Sequence, residues 1–227
     1  MTGSTLLLLA DGRFPCGGHA HSGGLEEAIV AGRVQGRDEL YSFLVGRLST
    51  VGLVDSTLAA SACSVGDDNA SLQAADAEAA ARCASPALRA SSRAQGRGML
   101  RAAKEIWGGP AWMATHEMTG FMYPVALGAA GYRAGLSPAE VALVAAQGAV
   151  TGPAWAATRL LGMSPFEVAS CLAQLADEVS STAGEAWGLV RQQSGHGQLR
   201  GLPALSSPLL ELGAERHARR EVRFFAS

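Results

Sequence analysis

The chain has 227 residues, a length that allows one large domain or two small ones. With 48% hydrophobic and 17% charged residues, it has enough apolar side chains for a substantial core, built mainly from Ala, Leu and Val. A net charge of −2 argues against nucleic acid or an anionic membrane as a partner, because such partners require a basic surface.

The opening segment, residues 1–24, is predicted to be a glycine-rich loop. Its glycines permit unusual backbone angles and the close approach of another chain. Ser22 is expected to order the turn into the first helix, whose positive end suits Glu26 and Glu27. The leucines at 6–9 are too few for the apolar region of a secretory signal, and the cysteines are widely spaced without a C-x-x-C pair. We therefore expect a reduced, cytoplasmic setting.

Helix-start signals recur along the rest of the chain. Serine is a good N-cap and proline suits the first helical position, and four Ser-Pro pairs combine the two: Ser85-Pro86, Ser137-Pro138, Ser164-Pro165 and Ser207-Pro208. Two of these pairs extend to capping boxes, through Glu140 and Glu167. Helical apolar spacing follows them, and strand-like alternation is hard to find. We predict an all-α fold, a single compact domain over residues 1–227 with about eight helices, near 25–33, 38–63, 71–83, 86–106, 123–134, 138–161, 165–192 and 208–222.

One uncharged stretch, residues 141–158, is long enough to be tested as a membrane span. It is rich in alanine, contains Gln147 and Thr151, and is interrupted by Gly152-Pro153. We therefore predict a buried core helix with a kink or break near Pro153, and no membrane partner. Further along, the polar, glycine-rich residues 195–201 are predicted to be a linker to the last helix.

The C-terminal segment, residues 206–227, combines basic side chains with a terminal Phe224-Phe225 pair. Arginine and aromatic side chains are enriched at the hot spots of protein–protein interfaces, so one interpretation is a surface that faces a partner. The other is a basic last turn that satisfies a helix C-terminus, with both phenylalanines folded back onto the chain's own core. The two interpretations need not exclude each other. The basic side chains are Arg216, His217, Arg219, Arg220 and Arg223.

Motifs of nucleotide chemistry are absent from the sequence, which contains neither G-x-x-x-x-G-K-[ST] nor G-x-G-x-x-G after a predicted strand. His116-Glu117 begins like the helix of a zinc protease, but Gly120 stands where the second histidine should be. We interpret His116 as a structural or partner-facing residue.

Two alternative functions would use the opening segment. A serine hydrolase would use Ser22, which lies in an A-x-S-x-G variant of the nucleophile elbow, but an elbow needs a strand and a sheet that this sequence does not predict. A nickel-binding protein would use Cys16, His19 and His21, whose thiol and imidazoles suit nickel, copper or zinc. A stable site usually needs a fourth ligand, so we favour structural roles for these three side chains.

Taken together, these segments resemble the F-type urease accessory proteins, the UreF family. The opening segment is similar to the family's L-S-D-S-x-x-P-x-G-G-F-A-H-S-G-G-L-E run, through Leu9, Asp11, Pro15, Gly17, Gly18, Ala20, His21, Ser22, Gly23, Gly24, Leu25 and Glu26. In the middle, the run from Arg93 to Arg97 resembles R-x-Q-G-R, and Tyr123-Pro124-Val125 resembles Y-P-V. The end resembles R-H-E-x-x-x-x-R-L-F-x-S through Arg216, His217, Arg223, Phe225 and Ser227.

Three positions depart from the family pattern. His19 takes the usual aromatic place, Cys16 takes the usual small aliphatic one, and Ala218 stands where the family commonly has glutamate. Contacts that need that carboxylate are therefore not carried over to this chain.

The resemblance implies an all-α, dimer-forming cytoplasmic protein that is not an enzyme. It would join the D-type (also called H-type) accessory protein, UreD or UreH, to the G-type GTPase, UreG, on apo-urease and support GTP-dependent nickel insertion. It would hold no tight cofactor, the complex would handle nickel transiently, and the GTPase would bind the GTP. The partner-binding residues implied are Arg216, His217, Arg223, Phe224, Phe225, His21, Ser22, Arg97 and Tyr123.

Overall fold

The computed structural model describes residues 2–193 and 199–226, and these residues form helices and loops without a β-strand. The predicted all-α fold is confirmed. Three residues of the predicted linker, Leu199–Gly201, form a 3-10 turn, whereas residues 195–198 and Ser227 lie outside the described residues. In chain order the α-helices are α1 Thr2–Ala10, α2 Leu25–Val30, α3 Arg37–Arg47, α4 Leu53–Ser64, α5 Asn69–Ala81, α6 Pro86–Trp107, α7 Ala111–Thr119, α8 Tyr123–Arg133, α9 Pro138–Leu160, α10 Pro165–Gln174, α11 Ala176–Gln192 and α12 Pro208–Ala218.

The Ser-Pro pairs start helices as predicted, and three of the four serines cap them with their side chains. Ser85 Oγ accepts a hydrogen bond from Leu88 N, and the capping boxes of Ser137 and Ser164 both form. Ser207 precedes α12 without a side-chain cap. Local sequence thus determines where α6, α9 and α10 begin.

Two helices were not predicted. Residues 2–10, expected to be loop, form α1, which buries Leu9 but leaves Leu7 exposed. Four adjacent leucines carry no helical period, so this helix depends on its contact with α9. Likewise, α7 follows Pro110 without a side-chain cap and packs against α6. Both helices are therefore consequences of tertiary packing.

Two long predicted helices are interrupted. The stretch predicted at 38–63 contains a π-helical turn, Leu48–Gly52, between α3 and α4. The stretch predicted at 165–192 breaks at Leu175 into α10 and α11, and α12 ends at Ala218 rather than at 222. The spacing of apolar residues indicates which face of a helix is buried, but it does not reveal an irregular turn inside that helix. The sequence therefore did not predict these interruptions.

At the centre of the bundle α4 packs against α8, α9 and α11. Its alanines, which include Ala59, Ala60 and Ala62, are buried and allow these helices to approach closely. One cluster of buried side chains gathers around α4, α6 and α8, and a second around α3, α9, α10 and α11. The site described below lies where both clusters meet the two ends of the chain.

The uncharged stretch 141–158 is part of α9, whose apolar side chains are largely buried, as predicted. The helix continues through Pro153 without a break. The helical stretch Arg37–Ser64, which runs from α3 through the π turn into α4, is long and apolar enough to cross a membrane by length and composition. Of its most apolar window, 56% is buried inside the protein.

Candidate partner-binding site

The two ends of the chain meet. The C-terminal segment turns back after α12, and Ala226 N donates a hydrogen bond to Ala20 O at 2.7 Å. On its other side α12 is fixed to the start of α6, where Glu215 Oε1 accepts from Ser85 Oγ at 2.5 Å and from Ala87 N at 2.9 Å. The segment is therefore held against the body of the protein both at α12 and at Ala226.

Glu26, the first glutamate of α2, is the main anchor of the C-terminal segment. Its carboxylate accepts hydrogen bonds from Phe224 N at 2.9 Å and Phe225 N at 3.1 Å, and its Oε2 lies 2.9 Å from His217 Nε2. Burial opposes ionisation of this carboxyl, but its hydrogen bonds to Phe224 N, His217 and Phe225 N outweigh that effect and lower its pKa. A buried carboxylate with this many donors holds the segment in one conformation.

Two further contacts fix the chain end. Arg220 Nε lies 3.0 Å from Glu27 Oε2, which is buried. The guanidinium of Arg159, in α9, lies 5.1 Å from the centre of the Phe225 ring, within the range of a cation–π contact. As a result Phe225 is 6% exposed, whereas its neighbour Phe224 is 73% exposed.

The paired glycines before α2 allow this close packing. Gly23 and Gly24 have φ of +60° and +91°, a region that favours glycine. A Cβ on Gly23 would lie 2.7 Å from the Pro153 ring, and one on Gly24 would lie 2.8 Å from a methyl group of Leu210. The opening segment therefore passes between α9 and α12 at a point where side chains do not fit.

The C-terminal segment exposes basic and apolar side chains to solvent. Arg216, Arg219 and Arg223 are exposed, as are Val222 and Phe224. On and before α12, the side chains of Leu205, Leu209 and Leu212 are also about half exposed. Of the residues predicted to bind partners, Arg216, Arg223 and Phe224 are thus available at the surface.

His217 and Phe225 are different, because these residues are 3% and 6% exposed and their side chains contact the chain itself. The fold-back interpretation therefore describes Phe225 and does not describe Phe224. In this conformation His217 and Phe225 shape the segment but present almost no surface of their own.

Ser22 and His21 follow Ala20, the residue whose carbonyl accepts from Ala226 N. Ser22 is fully buried and its Oγ accepts from Glu26 N at 3.3 Å, so it orders the turn into α2 as expected. His21 Nδ1 lies 3.1 Å from Ser91 Oγ in α6. A hydrolase elbow needs an exposed serine after a strand, but a 3-10 turn, Gly18–Ala20, precedes Ser22, and the described part of the chain contains no strand. This geometry does not support the hydrolase alternative.

The structure does not gather the proposed metal ligands. Among residues 2–193 and 199–226, no group of three or more His, Cys, Asp or Glu side chains could hold a metal ion. Cys16 is partly buried and burial raises the pKa of its thiol, which disfavours the thiolate that binds metals. His21 is partly buried, and its pKa is lowered mainly by this burial and to a smaller extent by the charge of His19.

The two middle positions implied by the resemblance belong to α6 and α8 and not to the segments at the chain ends. Tyr123 begins α8, where its N donates to Ser92 Oγ at 2.8 Å, and burial raises the pKa of its hydroxyl. Arg97 lies on α6 beside Gly120, on the loop that leads to α8. Tyr123 lines the cavity described next, whereas Arg97 is not among the described residues that line it.

A cavity of about 610 Å³ lies between the opening segment, α4, α6, α8, α9 and the C-terminal segment. Burial raises the pKa of Asp55, one of its lining residues, to about 6, although the Arg47 guanidinium acts in the opposite direction. Sequence reasoning assigned no role to Arg47 or Asp55. The one available signal was Asp55 itself, a lone acid within the apolar run of α4.

Comparison with known proteins identifies a family. A family model described as UreF matches residues 34–176. The chain is 43% identical to the urease accessory protein UreF of Mycobacterium sp. (strain JLS), over 99% of this chain and 98% of that protein. Identity to the urease accessory protein UreF is 41% for Mycolicibacterium vanbaalenii and 38% for Mycobacterium tuberculosis (strain H37Rv), each over 99% of this chain and 98% of that protein.

Proposed function

The chain belongs to the UreF family of urease accessory proteins, and we propose that it is a non-catalytic maturation factor that bridges other proteins. It works in the cytoplasm as a homodimer. It joins the UreD (or UreH) accessory protein to the UreG GTPase on apo-urease. It supports GTP-dependent insertion of nickel, which the complex handles transiently without a cofactor bound tightly by this chain.

The observation that carries the proposal is the order of the C-terminal segment. Three hydrogen-bonding contacts to Glu26 hold the chain end. Arg216, Arg223 and Phe224 remain exposed on it. Arginine and aromatic side chains on an ordered backbone are suited to hot spots, because little backbone entropy is lost when they bind.

The division of labour also supports a bridging role. This sequence contains no phosphate-binding loop of the Walker type, so the GTP of the reaction belongs to the GTPase partner. The hydrolase alternative requires an exposed Ser22, whereas Ser22 is buried and hydrogen-bonded to Glu26 N.

The test is size exclusion with light scattering, on the chain alone and co-expressed with a UreD protein. We expect a dimer alone and a stable 2:2 complex with the partner. A monomer that does not bind the partner would overturn the proposal.

Single substitutions locate the surface. Phe224→Ala and Arg216→Ala are expected to weaken the complex with UreD at least tenfold, as hot-spot truncations do. The matched controls are Phe166→Ala in α10, whose ring is even more exposed than that of Phe224, and Arg191→Ala, on the exposed Arg191 of α11. Both are expected to leave affinity unchanged. Equal losses in test and control variants would show that the C-terminal segment is not the binding surface.

A further inference from the structure

Pro153 leaves a gap in the hydrogen bonding of α9. In an α-helix the N–H of each residue donates to the carbonyl four positions earlier, and proline has no N–H. Ala149 O is therefore without its helical donor, although α9 continues through this point. A buried carbonyl in this position needs another donor, because leaving it unpaired is costly.

Arg47, the last residue of α3, fills this gap. Its Nε donates to Ala149 O at 2.9 Å. The same guanidinium also donates through Nη1 to Gly23 O, again at 2.9 Å. One planar side chain thus joins α3, the irregular point of α9 and the opening segment, a geometry for which the fixed fork of arginine is suited.

The residues around Arg47 pack closely against its guanidinium. The Pro153 ring lies close enough to Gly23 to exclude a Cβ there, and the Arg47 guanidinium packs against the same position. Arg47 is followed directly by the π turn Leu48–Gly52, and such turns inside helices are frequent at functional sites. Asp55, which lines the same cavity about two turns further along this helical stretch, is the charged group that acts on Arg47.

We infer that Arg47 is a positioning residue for partner binding: by bonding Ala149 O and Gly23 O together, it fixes the opening segment on which the C-terminal segment rests. The connection is short. Gly23 is followed by Gly24, which contacts Leu210 of α12. Two residues later Glu26 holds the chain end. The inference rests on the proposed function, since it names what positions the partner-facing segment.

A double-mutant cycle with Pro153 separates positioning from stability. Arg47→Ala leaves both carbonyls without a donor. Pro153→Ala restores a backbone N–H that can donate to Ala149 O, but it cannot reach Gly23 O. The chains compared are wild type, each single variant and the Arg47→Ala/Pro153→Ala double variant, with three measurements: the thermal unfolding midpoint, hydrogen exchange of residues 18–26, and affinity for UreD.

We expect Arg47→Ala to lower the unfolding midpoint, to speed exchange of residues 18–26 at least tenfold and to weaken UreD binding at least tenfold. In the double variant the midpoint should recover in part, because only Ala149 O regains a donor, while exchange stays fast and binding stays weak. Recovery of affinity together with the midpoint would show that Arg47 acts through stability alone and would overturn the inference. Unchanged exchange in Arg47→Ala would overturn it as well.

Two more variants complete the test. Arg37→Ala is the control on the same helix, because Arg37 hydrogen-bonds Ser170 and Gln174 of α10 and not the opening segment. It is expected to leave exchange of residues 18–26 unchanged. Arg47→Lys is the milder variant, because it keeps the charge but replaces the guanidinium by an ammonium group. If hydrogen exchange of residues 18–26 in this variant is as slow as in wild type, a guanidinium that donates to both carbonyls is not required. If wild type does not bind UreD, the proposed function fails, while the unfolding and exchange measurements still decide whether Arg47 positions the loop.

Discussion

The carboxylate of Glu26 lies 2.9 Å from Nε2 of His217, although 191 residues of sequence separate them. Both side chains are buried, at 5% and 4% exposure. This pair closes the chain on itself, and it decides which face of the C-terminal segment points to solvent. Phe224 and Phe225 are neighbours in sequence, but this closure leaves the Phe224 ring exposed and buries the Phe225 ring.

Removing the Glu26 carboxylate should release the C-terminal segment. Glu26→Ala leaves His217 and two backbone N–H groups without their acceptor, so we expect a loss of about 3 kcal/mol in unfolding free energy. Urea unfolding measures this loss, and limited trypsin digestion measures release, because the segment contains Arg219, Arg220 and Arg223. Glu221→Ala, which alters an exposed glutamate of the same segment, should change neither. Equal trypsin resistance of Glu26→Ala and wild type would contradict this role.

The same anchor should fail at low pH. The pKa of Glu26 is lowered in the folded protein, so its contribution to stability is fully present above the unfolded value, about 4.3 for a free glutamate, and is lost as pH falls through the folded value. Glu215, the anchor on α6, also has a lowered pKa, chiefly because Ser85 hydrogen-bonds it. Trypsin cannot be used at these pH values, so pepsin digestion between pH 5 and 3 is the measurement.

Glu26→Gln isolates the contribution of Glu26 to this acid sensitivity. The difference in unfolding free energy between this variant and wild type should shrink as pH falls below about 4. A difference that stays constant from pH 7 to pH 3 would show that the charge of Glu26 does not hold the segment.

Asp55 should change the stability of the protein with pH in the direction opposite to Glu26. Its pKa is raised to about 6, mainly by burial, so the folded state binds this proton more tightly than the unfolded chain and loses stability as pH rises from about 4 to 6. Asp55→Asn removes the buried charge and is expected to stabilise the protein at pH 7 by roughly 1–3 kcal/mol. The gain should vanish below about pH 4. A destabilised Asp55→Asn at pH 7 would show that the carboxylate has a partner that repays its burial.

The two terminal phenylalanines should separate stability from binding. Phe225→Ala removes a buried ring and its contact with Arg159, so a loss of about 3 kcal/mol is expected. Phe224→Ala removes an exposed ring and should change stability by less than about 0.5 kcal/mol. Circular dichroism should show nearly unchanged helix content in both. If Phe224→Ala proves as destabilising as Phe225→Ala, Phe224 belongs to the core and not to a partner surface.

The sequence by itself determined the helical class and most helix starts. Ser137 with Glu140 and Ser164 with Glu167 begin α9 and α10 where the sequence places them, because a cap needs only groups within three residues. The apolar period indicated which faces are buried for the same reason, since it is a property of one helix. Pro153 could be read as an irregular point in a buried helix, and Gly23-Gly24 as a point of close approach.

Only the tertiary structure decided what meets at those points. The donor to Ala149 O is Arg47, which lies 102 residues earlier in the sequence. The acceptor that binds the C-terminal segment is the carboxylate of Glu26. Neither pairing leaves a local periodic or capping signal. The helices α1 and α7 were missed because their helical form depends on packing against α9 and α6. Contacts between segments that are distant in sequence form only when the whole bundle has folded. The geometry of the site is therefore determined by hydrogen bonds and burial between such segments.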